Sequence, residues 1–136
     1  MTSFGGPDVT LHILIVDDEP QIRNILRTIM EKHEGWVVCG EAADGIEAIE
    51  KAAELKPDLV LLDISMPNLD GLSALPQIRE HNPAAAVLIL TLHESLDMAR
   101  LSSLAGASGY IAKSLAATEL VPEIEKVEAA LALDRE

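Results

Sequence analysis

Five short, mostly apolar runs punctuate the chain: Leu11–Val16, Trp36–Ala42, Leu59–Leu62, Ala86–Leu90 and Tyr110–Ala112. Runs of this length bounded by turn residues read as strands, and the most apolar of them as strands buried on both faces. Between them, apolar residues return every three or four positions. Ile22, Ile25, Leu26 and Ile29 mark one face of a first helix, with Pro20 in its first turn. Ile46, Ile49 and Ala53 mark a second helix, entered through Asp44-Gly45 and ended by Pro57-Asp58. A third runs from the turn Asn68-Leu69-Asp70-Gly71 to about Glu80, with Pro76 inside as a point of kinking or shortening. A short fourth covers about Leu96–Ala105, and a fifth, capped by Thr118, carries Leu120, Ile124, Val127 and Leu131. Strand and helix alternating five times predicts a parallel sheet with helices on both faces and right-handed crossovers. Residues 1–10, with Gly5-Gly6-Pro7, read as a flexible leader, 11–133 as one domain and 134–136 as a tail.

Length and composition narrow the class. The 136 residues suffice for one domain with a real core. Aromatics make up only 2%, so the core must be aliphatic. The net charge of −13 and the absence of a basic patch argue against contact with nucleic acid or anionic lipid. Cys39 is the one cysteine, which excludes an internal disulfide and reads as a small buried hydrophobe. No stretch reaches the roughly 18 apolar residues of a membrane span, and no signal peptide is read at the start, so a cytoplasmic protein is expected.

The chemistry gathers at strand ends. The first strand ends in Asp17-Asp18-Glu19-Pro20, the third in Asp63. Open parallel sheets keep their ligand sites at the carboxyl edge. Acids at a helix start also complement its dipole or cap it, and Asp63 alone could be a turn acid. Three carboxylates converging on one edge repel and call for a cation, and hard oxygen ligands suit Mg²⁺. Thr91 closes the fourth strand and Lys113 the fifth. Alone, each is an ordinary strand-end residue. With three acids they make a set for phosphoryl transfer, in which metal and Lys neutralise charge, a hydroxyl donates and one carboxylate attacks phosphorus.

The segments ILIVDDEP (13–20), LVLLDISMPNLDG (59–71), LILT (88–91) and AGASGYIAK (105–113) resemble the receiver domain of two-component response regulators. The resemblance covers about Leu11 to Leu133. It implies a flavodoxin-like α/β fold, a doubly wound five-stranded sheet of order 2-1-3-4-5. It implies Asp63 as phosphoacceptor and Asp17, Asp18, Asp63 and the Ser65 backbone carbonyl as ligands of Mg²⁺ or Mn²⁺. Thr91 and Tyr110 become the switch pair, and Lys113 the contact to a phosphoryl oxygen. Ser65 and His93 flank the acceptor and are expected to tune phosphoryl lifetime, although His93 also reads as a plain loop histidine. The implied partners are a sensor histidine kinase or histidine phosphotransfer protein and a downstream protein, with a phosphorylation-dependent dimer also compatible. LTLHES and GASGYIAK are most similar to receivers that precede a helix-turn-helix domain; the sequence stops at Glu136, right after the last helix, which leaves a stand-alone receiver and a fragment of a longer regulator both open. Many relatives carry proline after the lysine. Here Ser114 follows Lys113, and a cis bond, which would cost roughly 3 kcal/mol relative to trans, is not assumed, so the isomer stays open.

The expected function is a phospho-accepting switch rather than a turnover enzyme. Two alternatives compete. A haloacid-dehalogenase-type phosphatase also uses a strand-end Asp and Mg²⁺, but usually has a second Asp where Ser65 stands. A receiver reduced to a phosphorylation-independent interaction module would not need the full set of five residues.

Overall fold

The computed structural model describes residues 10–92 and 95–134. Nearly all of the expected leader, and His93, therefore lie outside the described residues. The order is β1 (Leu11–Val16), α1 (Pro20–Glu31), β2 (Trp36–Ala42), α2 (Gly45–Leu55), β3 (Leu59–Asp63), α3 (Gly71–His81), β4 (Ala86–Thr91), α4 (Leu96–Leu104), β5 (Gly109–Ala112) and α5 (Ala116–Asp134). A 3₁₀ turn at Lys113–Leu115 joins β5 to α5. All strand pairs are parallel, in the order β2-β1-β3-β4-β5. The order reverses between β1 and β3, and the crevice at such a reversal is where open α/β sheets bind ligands.

Strand alternation sorts the core into two layers. Leu11, Ile13 and Ile15 of β1, Leu59 and Leu61 of β3 and Leu88 and Leu90 of β4 pack with Leu26 and Met30 of α1 and Leu120 and Ile124 of α5. The intervening residues, among them Leu14, Val16, Val60, Leu62, Val87 and Ile89, pack with Ala48, Ala52, Ala74, Leu75 and Ile78 of α2 and α3. Both faces are covered, which is why β1, β3 and β4 read as nearly continuous hydrophobic runs. No described helix is long and apolar enough to cross a membrane.

Several local expectations shift. On α1, Leu26 and Met30 are the buried residues, while Ile25 is 55% exposed at the margin of the stripe. On α2 the buried face is Gly45, Ala48 and Ala52, and Ile46 is exposed, because small side chains let the helix sit close to its neighbours. Pro76 lies inside α3, which continues to His81. The fifth helix starts at Ala116, so Thr118 is no cap. Its hydroxyl donates to the Leu115 carbonyl from within the first turn. Cys39 is only half-buried. The register slips between Ile13↔Val38 and Leu14↔Gly40, leaving Cys39 at the irregularity, where its thiol donates to the Ile13 carbonyl at 3.5 Å. No described peptide bond is cis, so the Lys113–Ser114 bond, left open by the sequence, is trans.

Candidate functional site

Asp17 follows the last residue of β1 and Asp63 ends β3, two neighbouring parallel strands, so the fold itself brings them together. One carboxylate oxygen each of Asp17, Asp18 and Asp63 lie within 4.8 Å of one another. Asp17 and Asp63 are 1% and 4% exposed, whereas Asp18 is exposed. The Lys113 ammonium reaches in from the end of β5, 2.6 Å from Asp17 Oδ2 and 3.3 Å from Asp63 Oδ1. A cavity of about 170 Å³ opens here, lined by Asp18, Glu19, Asp63, Ser65, Leu92 and Lys113.

Local hydrogen bonds fix both acidic loops. The Asp17 amide donates to the Ala42 carbonyl at 3.0 Å, and Asp17 Oδ1 accepts from the Glu19 amide at 2.9 Å. After β3, Asn68 takes a left-handed φ of 67° that Asn tolerates well. Its amide donates to Asp44 Oδ2 at 2.7 Å, and the Leu69 carbonyl accepts from the Gly45 amide at 2.9 Å. The Gly71 amide closes the loop on the Ile64 carbonyl at 2.8 Å. Only glycine fits at 71, since a Cβ there would collide with the Asp63 carbonyl oxygen.

The electrostatics follow from burial and crowding. Burial first, then the Asp17 charge, push the Asp63 carboxyl up to about 6 against the pull of Lys113. Burial disfavours the Lys113 ammonium, but the hydrogen bond to Asp17 and the Asp63 charge override it and leave the group above its ordinary value. Three acids facing one ammonium leave an excess of negative charge. Together with the all-oxygen donor set, this fits a hard divalent cation.

Thr91 ends β4, one residue beyond the Asp63↔Leu90 pairing, and is 1% exposed. Tyr110 on β5 is half-buried against the α2–α3 layer. The structure thus gathers Asp18, Asp63, Ser65 and Lys113 around one cavity, with Asp17 beside them against Lys113 and Thr91 on the adjoining strand end. Arg23 and Glu41 also belong to the surroundings, and nothing in the sequence signals them. They come from α1 and β2 and meet only through folding: Arg23 Nε donates to Glu41 Oε1 at 2.8 Å, and Arg23 Nη1 to the Asp17 carbonyl at 2.6 Å.

Comparison with known proteins points to one family. The chain is 37% identical over 115 residues to the chemotaxis protein CheY of Thermotoga maritima, covering 85% of this chain and 95% of that one. It is 42% identical over 106 residues to a protein-glutamate methylesterase/protein-glutamine glutaminase of Geobacter sulfurreducens, covering 77% of this chain but only 29% of that protein. Among solved structures, a LuxR-family two-component response regulator from Aurantimonas sp. SI85-9A1 superimposes with a TM-score of 0.84 at 40% identity, covering 89% of this chain and 86% of that one. The family model for the response regulator receiver domain matches residues 13–125, and the chain belongs to that family.

Proposed function

We propose that residues 11–133 form a phospho-accepting switch in which Asp63 takes a phosphoryl group from the phosphohistidine of a sensor kinase or histidine phosphotransfer protein. The observation that carries this reading is the meeting of three carboxylates with the Lys113 ammonium at the carboxyl ends of β1, β3 and β5. Near neutral pH a carboxyl titrating at about 6 is mostly ionised, so Asp63 can act as nucleophile. One Asp63 oxygen bonds to phosphorus as the bond to the imidazole nitrogen breaks, and the imidazole takes up a proton. Mg²⁺ or Mn²⁺ held by Asp17, Asp18, Asp63 and the Ser65 carbonyl would supply charge neutralisation on the phosphoryl oxygens. Lys113, already 3.3 Å from Asp63 Oδ1, swings its ammonium onto one of those oxygens. The Thr91 hydroxyl donates to another, and Tyr110 packs into the space Thr91 leaves. That repacking shifts the population of the α4–β5–α5 face that a downstream partner reads. Ser65 lines the cavity and is placed to regulate water access to the acyl phosphate, whose hydrolysis resets the switch.

Incubation with acetyl phosphate and Mg²⁺ is expected to add one phosphate by intact mass. Asp63→Asn, or removal of divalent metal, is expected to abolish the addition. A mass shift that persists in Asp63→Asn moves the acceptor elsewhere, and sustained turnover of a phosphomonoester favours the phosphatase alternative.

A further inference from the structure

Asp17 is held on every side, but its carbonyl is held by a residue outside the acidic cluster. The Arg23 guanidinium, one turn into α1, spans two partners, the Asp17 carbonyl and the Glu41 carboxylate of β2. The other Glu41 oxygen is taken by Arg27, at 2.7 Å from Nη2 and 2.8 Å from Nε. Arg27 in turn reaches Glu31 at 3.1 Å, so its carboxylate partners lie on α1 and β2. The Arg23 and Glu41 side chains are only 17% and 29% exposed, and burial works against the Glu41 charge. Hydrogen bonds from Arg27 and Arg23 outweigh that and hold the carboxyl below its ordinary range.

A second observation shows why such a brace is needed. Glu19, the N-cap of α1, makes no side-chain capping hydrogen bond. The helix end of the turn that presents Asp17 and Asp18 is therefore fastened by the bond from the Glu19 amide to Asp17 Oδ1 and not by a side-chain cap on Glu19. The bond from Arg23 to the Asp17 carbonyl adds a second fastening, and the Asp17 amide to Ala42, next to Glu41, ties the same turn to β2. Glu41 has a further task. An unpaired guanidinium beside two carboxylates would fold onto them and compete with an incoming cation.

We propose that Arg23, oriented by Glu41, is a positioning residue that holds the Asp17–Asp18 turn in its cation-binding shape before the divalent ion arrives, and so sets the affinity for that ion. The inference rests on the functional reading above. Groups that orient metal ligands typically change metal affinity by 10–100-fold when removed.

The test is Mg²⁺ titration calorimetry on the full chain. Arg23→Ala is expected to weaken Mg²⁺ about tenfold. Its rate of labelling by acetyl phosphate should recover towards wild type once Mg²⁺ saturates, because the defect lies in loading the site. Arg23→Lys is expected to stay weakened by several-fold, since one ammonium cannot span Glu41 and the Asp17 carbonyl in the manner of a fork. Glu41→Gln should fall between Arg23→Ala and wild type. Arg27→Ala breaks the same network without reaching Asp17, and is expected to lose stability while keeping wild-type Mg²⁺ affinity. Unchanged affinity in Arg23→Ala, or an equal loss in Arg27→Ala, overturns the proposal. Should Arg23→Ala fail to fold by circular dichroism, the Arg23→Lys affinity decides alone, and a wild-type value overturns the proposal. Asp18→Asn separates the two levels: wild-type Mg²⁺ affinity in that variant overturns the metal-site reading itself, whatever Arg23 does.

Discussion

On the β1 and β3 side of the site, backbone and side chain are fastened at many points. Asp17 is tied through its amide, carbonyl and both carboxylate oxygens. The loop after β3 is pinned to α2 through Asn68 and Leu69 and closed by Gly71. The β4–α4 side is built the opposite way. Leu96, Leu101 and Leu104 of α4 are 86%, 50% and 77% exposed, and its one fully buried residue is Ser102. The Ser102 hydroxyl has no hydrogen-bond partner, alone in this respect among the buried side-chain polar atoms of the described residues. A helix that buries an unsatisfied polar group and exposes its leucines gains little from its present seat. The contrast teaches a division of labour. The chemistry proposed for Asp63 would need groups held in place before reaction. A readout needs an element whose alternative positions differ by little free energy, and such elements come from the weakly packed part of a fold.

The comparison can be broken at either end. The largest expected effect is Leu61→Ala in β3, where Leu61 is 1% exposed. A fully enclosed leucine truncated in this way costs about 3–5 kcal/mol, read by urea unfolding. If Leu61→Ala costs no more than a surface change, the rigid half is misjudged. The next effect is pH-dependent and belongs to the metal-free protein. The Asp63 carboxyl is raised to about 6 in the folded state from 3.8 in the ordinary group. A raised carboxyl stabilises the fold fully below the lower value and loses that contribution as pH climbs through the higher one. Stability in chelator is therefore expected to fall between pH 4 and 6, and Asp63→Asn should flatten that part of the curve.

Smaller effects sharpen the loose half. Ser102→Ala removes the orphan hydroxyl and is expected to leave stability unchanged or raise it by about 1 kcal/mol. A loss of that size instead would mean that the hydroxyl has a partner in solution. Leu104→Ala, at the exposed face of α4, is expected to stay within about 0.5 kcal/mol of wild type by thermal melting. Amide exchange should follow the same order, with α4 opening far more readily than β1 or β3.

Much of this was legible along the chain. The runs at Leu59–Leu62 and Ala86–Leu90 announce doubly covered strands because burial on both faces erases alternation. Asp17, Asp18, Asp63 and Lys113 could be placed at one edge because every strand of a parallel sheet ends on the same side. The less legible parts were those where side-chain size or a distant partner decides. Hydropathy favoured Ile46 and Ile49 on α2; Ile49 does pack against the core, yet close packing buried Ala48 and Ala52 fully and left Ile46 exposed. Thr118 had the chemistry of a cap, but the 3₁₀ turn after Lys113 started the helix earlier.

The linear order of residues by itself determined the alternation of strands and helices, the aliphatic core and the edge on which the acids lie, because periodicity and strand direction are local properties. The folded structure alone decided that Arg23 and Glu41 brace Asp17, that Cys39 sits at a register slip, and that α4 turns its leucines outward. Each of these depends on contacts between segments far apart in the chain, whose geometry is set by how two packed surfaces fit and not by the pattern of either one.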